Sequence, residues 1–364
     1  MKIRAAVCRA FGAPLEIETL DLRAPVGREV EVALGAVAIC HSDIMLADGS
    51  WGGTLPAVYG HEAAGRITAL GPEVRGLARG DKVLVTLVRA CGRCASCSGG
   101  HPVGCVGKHA QESPLTDASG APVVHGLDTG GFAERALVDE SQVAKIPEAV
   151  PMDAASLMSC GVITGVGAVV NDARLRPGED AVVIGAGGVG LNAVQGARIA
   201  GARRIVAVDM NEGKLAAARD FGATHGVLAA PGDPVAAVRD ILGKGAEAVF
   251  VTVGAAGAYA AAEAYLSPRG RLVAVGMTPG GTEATYQPAE FVYAGHRILG
   301  SRMGDVVLSR DIPWLADLYL QGRLKLDELI SARWPLEKIN AAIADTRAGA
   351  ARRNVIVFDE APER

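Results

Sequence analysis

The most constraining stretch of this chain is a strand, a glycine turn and a helix in immediate succession. Residues 182–184 are apolar and run directly into Gly185-Ala186-Gly187-Gly188-Val189-Gly190, which fits G-x-G-x-x-G. An alanine-rich helical segment follows from Val189. In such a unit the first glycine makes the tight turn and the second lets the backbone approach a pyrophosphate. The third lets helix pack on strand, and the helix N-terminus faces the phosphates. A second apolar strand, 204–208, ends at Asp209, nineteen residues beyond Gly190. A carboxylate there hydrogen-bonds ribose hydroxyls and repels a 2′-phosphate, which favours NAD over NADP. A glycine turn alone fits many α/β folds. Strand, turn, helix and acid in register predict a dinucleotide site.

The surrounding texture divides the chain in two. Before about residue 151, short β-like runs such as 29–34, 63–70 and 82–88 are broken by Gly and Pro, which predicts a barrel-like all-β region. After it, apolar strands at 181–184, 204–208, 248–253 and 271–275 alternate with helix-like segments, the signature of βαβ units and a parallel sheet. Residues 311–321 and 336–347 read as helices and 354–358 as a terminal strand. The chain has 364 residues, 49% hydrophobic and 21% charged, enough for two ordinary domains with sizeable cores. A net charge of −4 gives no electrostatic reason to expect a nucleic-acid or membrane partner. The N-terminal stretch has no long apolar core, so the expectation is a cytoplasmic protein.

Four of the seven cysteines fall in Cys91-x2-Cys94-x2-Cys97-x7-Cys105. Four thiolates on one loop satisfy tetrahedral zinc and leave no open position, so such a site is structural. Redox thiols or an iron–sulfur cluster are the competing readings of the spacing. Cys8, beside the apolar residues 5–7, reads as a packed strand cysteine.

Three further segments carry metal-type side chains: Cys40-His41-Ser42-Asp43, Gly60-His61-Glu62 and Ser159-Cys160-Gly161. Each is ambiguous alone. Together with the cysteine loop, the glycine fingerprint and the stretches LPAVYGHEAAG, SCGVITGVGAV, VDMNEGK and LEKIN, they resemble the zinc-containing medium-chain alcohol dehydrogenase family over nearly the whole chain. The resemblance implies an α/β protein: a Rossmann doubly wound parallel sheet, residues 162–302, inserted into a barrel-like (GroES-like) catalytic domain, residues 1–161 and 303–364. It implies NAD and two zinc ions per chain, one catalytic and one structural on Cys91, Cys94, Cys97 and Cys105. The implied activity is reversible oxidation of an alcohol to an aldehyde or ketone.

By the same resemblance Cys40, His61 and Cys160 bind the catalytic zinc. Two cysteines and one histidine with an open fourth position is the ligand set known for alcohol dehydrogenase. Glu62 and Asp43 are implied to support the ligands. Ser42 is implied to take the proton from the alcohol. Where many members place a relay histidine, this chain has Met45, which cannot transfer a proton. For the cofactor the implied residues are Gly185, Gly187, Gly188, Val189, Gly190, Asp209, Lys214, Thr164, His41 and Arg353, the last as a pyrophosphate arginine. Trp51, Leu87 and Phe132 are candidate walls of the substrate pocket. Core packing is the competing reading for Trp51 and Phe132. The partner is a small-molecule alcohol or carbonyl compound, and a homodimer or homotetramer is expected. Cys160 argues against the polyol branch, where glutamate often replaces this ligand. Glutathione-dependent formaldehyde dehydrogenase and a non-catalytic NAD-binding protein remain as alternatives.

Overall fold

A computed structural model describes residues 1–107, 112–349 and 352–358. The chain divides into two compact units, Met1–Cys160 with Val307–Arg364, and Gly161–Val306.

The first unit opens with ten strands: β1 (Lys2–Cys8), β2 (Glu16–Leu22), β3 (Glu29–Ala38), β4 (Ala57–Val58), β5 (Glu62–Leu70), β6 (Lys82–Thr86), β7 (Leu115–Thr116), β8 (Pro122–His125), β9 (Arg135–Asp139) and β10 (Val143–Lys145). β1, β2, β7, β8 and β4 close into a barrel, while β10, β6, β5 and β3 run side by side in a second sheet, with β9 also on β3. Closure leaves no free edge in the barrel. Apolar residues on alternating strand positions, among them Val30, Val32, Leu34, Ile67, Val83 and Val85, meet in one core with Phe132. Cys8 is fully buried in that core, and its thiol donates to the Ala47 carbonyl at 3.7 Å.

The helix Met152–Ala173 is apolar and long enough to cross a membrane, but 89% of its most apolar window is buried inside the protein. It is a core helix. Two of its turns, Met158–Val162 and Ala168–Ala173, are π-helical.

The second unit is a six-stranded parallel sheet: β11 (Asp180–Ile184), β12 (Arg204–Asp209), β13 (His225–Leu228), β14 (Ala246–Val251), β15 (Leu266–Ala274) and β16 (Arg297–Gly300). Their order is β13-β12-β11-β14-β15-β16. Chain direction across the sheet therefore reverses between β11 and β14, the switch point at which doubly wound sheets bind ligands. This is a Rossmann-type fold, and the glycine turn sits at the end of β11. The chain then returns to the first unit, where β17 (Ile330–Trp334) pairs with β18 (Arg353–Val357). β18 lies antiparallel to β3, with Val355 opposite Ala38.

Asp180, at the start of β11, is fully buried and receives both Arg203, at 2.5 Å, and Arg204, at 2.8 Å. Against burial, the two guanidinium groups pull its carboxyl down to about 2. A carboxylate lowered on folding stabilises above its unfolded range, and that contribution fades as pH falls through the folded value. Asp180→Asn is therefore expected to lose of order 1–2 kcal/mol at neutral pH, discounted for the half-exposed Arg203. Calorimetry of variant and wild type should show the gap narrowing between about pH 4 and pH 2. A gap independent of pH would remove the ion pairs as its cause.

Candidate active site and metal centres

Cys40 ends the segment after β3, and the next residues form the helix His41–Ala47. Asp43, in its first turn, is 2% exposed. Its carboxylate accepts from the Cys40 backbone N–H at 3.2 Å, from the Gly60 N–H at 2.9 Å and from His61 Nδ1 at 2.8 Å. With Nδ1 engaged, His61 turns Nε2 inward, and that nitrogen is buried with no hydrogen-bond partner. An imidazole nitrogen in that position, beside thiols, is a metal ligand in waiting. Cys160 sits in the first π turn of the helix Met152–Ala173. The preceding residue fixes that turn to β5: Ser159 Oγ donates to the Ala63 carbonyl at 2.9 Å. One extra residue per turn re-aims a side chain relative to an α-helix, a common device at functional sites.

Ligand atoms of Cys40, His61, Glu62 and Cys160 consequently all lie within 4.8 Å of one another. A hydrogen bond with Cys160 holds the Cys40 thiol well below the ordinary cysteine range, against burial. The same bond and burial hold Cys160 well above it. Burial works against the charged form of His61, yet Asp43 and Cys40 raise it well above the imidazole range. The pocket thus favours positive charge despite its dryness, as a cation site must. Burial pushes Glu62 up to about 8, with Arg353 pulling the other way.

Arg353, at the start of β18, is itself buried. Its guanidinium reaches Glu62 Oε1 at 3.1 Å and donates to the Ile39 carbonyl at 3.3 Å. Neither Glu62 oxygen has a partner in hydrogen-bond geometry. The resemblance implied pyrophosphate contact for Arg353; the structure sets it against Glu62. No local motif signals that pairing, because it depends on β18 lying along β3.

The second cluster is Cys91, Cys94, Cys97 and Cys105, whose sulfurs also lie within 4.8 Å of one another. No disulfide forms. Backbone N–H groups point at the sulfurs: Cys91 to Cys105 at 3.2 Å, Cys94 to Cys91 at 3.3 Å, Cys97 to Cys94 at 3.5 Å and Gly107 to Cys105 at 3.4 Å. Such bonds favour thiolates. The Cys97 N–H bond leads in pulling Cys94 down to about 6. Four half-buried thiols on one loop fit a closed tetrahedral metal site.

In the second unit, Gly185 adopts φ +97, and a Cβ on Gly190 would stand 1.8 Å from the Gly185 carbonyl. Open space surrounds Gly187, where a side chain would fill the approach to the backbone. Asp209 accepts from the Ala186 N–H at 2.8 Å and the Asn211 N–H at 3.0 Å, which ties the end of β12 to the glycine turn. The residues present fit a dinucleotide. Gly188 and Val189 are half-buried at the start of the helix Gly188–Ile199, and Lys214 is half-buried in the helix capped by Asn211. The Thr164 hydroxyl is turned to Met303 Sδ at 3.8 Å.

Around the first cluster, Ser42 Oγ lies 3.7 Å from Cys40 Sγ. His41 is exposed, and Met45, Trp51 and Leu87 are half-buried. Phe132 is 1% exposed and packs in the core against Gly60.

Residues 27–148 match the model described as Alcohol dehydrogenase GroES-like domain, and residues 188–321 that of Zinc-binding dehydrogenase. S-(hydroxymethyl)glutathione dehydrogenase of Paracoccus denitrificans is 32% identical across 98% of this chain and 100% of its own length. The chain belongs to the zinc-containing medium-chain alcohol dehydrogenase family. Among solved members, an alcohol dehydrogenase zinc-binding domain protein from Burkholderia ambifaria superposes with TM-score 0.95 at 39% identity, covering 99% of this chain and 100% of that one. Benzyl alcohol dehydrogenase from Acinetobacter calcoaceticus gives 0.92 at 33%, with 99% and 100% covered.

Because Asp43 alone fixes three groups of this dehydrogenase's buried cluster, Asp43→Asn is expected to weaken zinc there by about 10–100-fold. The four-cysteine site should be untouched. A chelator competition that resolves two affinities checks this, and equal wild-type and variant curves would remove Asp43 from the metal's support.

Proposed function

We propose that the protein oxidises an alcohol to an aldehyde or ketone, reversibly, with NAD as the two-electron acceptor. The observation that carries this reading is the inward, unpartnered Nε2 of His61 between two buried thiols. A buried polar atom without a partner calls for an explanation, and a cation held beside two thiols would supply one. Cys40, His61 and Cys160 would hold the catalytic zinc, with Cys91, Cys94, Cys97 and Cys105 holding a structural one. Zinc in the first site supplies Lewis acidity toward an alcohol or carbonyl oxygen.

The remaining roles belong to the chain's own side chains. Asp43 keeps Nδ1 of His61 donating and Nε2 available. Arg353 offsets the buried charge of Glu62. Ser42 Oγ takes the proton released by the alcohol. Met45 cannot pass it on, so the proton leaves the Ser42 hydroxyl by another route, through ribose and water or through another group. Half-buried Trp51 and Leu87 supply apolar wall to the substrate pocket, with Phe132 behind them. The glycine turn accommodates the pyrophosphate and Asp209 the adenosine ribose. The working form is a cytoplasmic homo-oligomer.

NADH formation across a panel of alcohols, with and without a zinc chelator, tests the reading. Benzyl alcohol and glutathione with formaldehyde belong on the panel, given the relatives named above. Turnover should be chelator-sensitive. Cys160→Ala should lose activity and one of two zinc ions while keeping its circular dichroism, and retained activity would sink the ligand assignment. Turnover confined to glutathione with formaldehyde would select the formaldehyde dehydrogenase reading. No turnover on any of these, with both zincs present, would leave an NAD-binding role.

Cofactor choice has its own check. Asp209→Asn keeps an acceptor for the Ala186 N–H but removes the charge that repels a 2′-phosphate. The ratio of kcat/KM for NAD over NADP is expected to fall by about tenfold or more, the equivalent of one lost 1.4 kcal/mol discrimination. An unchanged ratio would assign Asp209 to holding the turn alone.

A further inference from the structure

The first π turn of the helix Met152–Ala173 carries Cys160, and the second, Ala168–Ala173, carries Asn171. Such turns are rare and concentrate at functional sites, because the extra residue re-aims the side chains around it. Asn171 reaches out of the helix. Its side-chain amide donates to the Gly304 carbonyl at 2.9 Å.

Gly304 is the middle of an unusual turn. Met303, Gly304 and Asp305 have φ of +51°, +61° and +45°, three consecutive residues in the left-handed region. Gly304 adopts that φ freely, whereas Met303 and Asp305 carry a Cβ that crowds the following carbonyl oxygen. Residues with a side chain visit this region singly, and strain of this kind persists only where the surroundings over-determine it. Met303 and Gly304 are buried. A Cβ on Gly304 would stand 2.2 Å from the Ile163 carbonyl oxygen, and one on Gly167 would stand 2.3 Å from the Gly304 oxygen. The turn is therefore pressed against the helix backbone where neither partner has a side chain. Thr164 Oγ1 meets Met303 Sδ on one side, and the Asn171 amide supplies the directional bond on the other.

The place of the turn says what the strain serves. It follows β16, at the carboxyl ends of the parallel strands, the side on which doubly wound sheets bind ligands. The glycine turn after β11 and Asp209 at the end of β12 lie on that side too. With the pyrophosphate at the glycine turn and adenosine over β12, the other half of a dinucleotide extends the opposite way, over β14, β15 and β16. The helix links the two regions. A Cβ on Gly165 would stand 2.4 Å from the Val189 carbonyl oxygen, at the start of the helix Gly188–Ile199. Thr164, next to Gly165, touches the turn.

We propose that Asn171 is a positioning residue for the nicotinamide half of the cofactor. Its amide holds the turn Met303–Asp305 in the left-handed form in the free protein, so that binding energy is not spent on ordering it. It acts through the Gly304 carbonyl rather than on the cofactor. Without that bond the run relaxes toward ordinary φ, Met303 leaves Thr164, and the competent turn becomes one conformer among several. Apparent affinity then falls by the fraction of molecules that keep it.

The inference rests on the NAD reading above, and binding rather than turnover tests it. The zinc-loaded protein is titrated in a calorimeter with NADH and, separately, with ADP, which has adenosine and both phosphates but no nicotinamide half. Asn171→Ala is expected to raise the Kd for NADH by about 3–10-fold, the worth of one hydrogen bond, and to leave the Kd for ADP unchanged. Asn171→Asp keeps the volume but sets an acceptor where the donor was, and should weaken NADH at least as far. A merely structural loss would loosen the whole unit and shift both ligands together. Wild-type NADH affinity in Asn171→Asp, or an equal loss for ADP in both variants, would overturn the proposal while leaving the NAD reading intact. A wild-type protein that binds neither ligand would overturn that reading and this inference with it.

Discussion

The buried cluster depends on one carboxylate. Asp43 lies one helical turn after Cys40 and accepts three donors at once, from the Cys40 backbone, the Gly60 backbone and the His61 ring. Each contact does a different task. The Cys40 contact fixes the start of the helix His41–Ala47, the Gly60 contact fixes the turn into β5, and the His61 contact fixes a tautomer and a ring plane. Two segments far apart in sequence are thus brought to one point by a side chain that a solvent molecule could not replace. The third segment arrives separately, through the Ser159 hydroxyl on the Ala63 carbonyl. The cluster is therefore tied to β5 from both sides, and β5 is held in register between β3 and β6.

How much of this could be read in the sequence follows from the range of each signal. The parallel sheet and its glycine turn were legible because strand, turn, helix and acid follow one another in about thirty residues. The four-cysteine loop was legible for the same reason, although its spacing alone did not choose the metal. Cys40, His61 and Cys160 each stood out only within a short stretch, and a resemblance to known enzymes grouped them. Their convergence needs the sheet register and the π turn at Met158–Val162, which shifts Cys160 off α-helical periodicity, so no periodic reading of the helix finds it. Arg353 shows the limit most plainly. The resemblance suggested pyrophosphate contact, and its position beside Glu62, which that reading did not include, comes from β18 lying along β3, more than three hundred residues away in sequence. Phe132 was read as a pocket wall with core as the alternative, and it is 1% exposed beneath Gly60. An aromatic residue in the segment before a strand serves either use, and only packing separates them. β16 was not read as a strand at all. Four residues with one charge carry no period, and its place at the sheet edge is a property of topology.

The charges around His61 explain why so many ionisable groups are tolerable in so dry a place. Burying an isolated charge is costly, and a buried pair is tolerated only when each member is matched. Asp43 is matched by three N–H donors. Glu62 is matched by Arg353, whose guanidinium also lies near enough to Cys40 and Cys160 to favour their thiolates. The hydrogen bond between the two thiols lowers Cys40 and raises Cys160. Cys40, Cys160 and His61 would hold a divalent cation, which would supply the positive charge that two thiolates together call for. The same balance explains the ligand chemistry: a third anionic ligand would leave the site negative and blunt the cation's pull on a neutral oxygen. The Arg353 guanidinium, 3.1 Å from Glu62 Oε1, gives that side chain a partner other than such a cation. On the proposed ligand set, the buried arginine is what would let a glutamate beside the ligands coexist with an electrophilic centre.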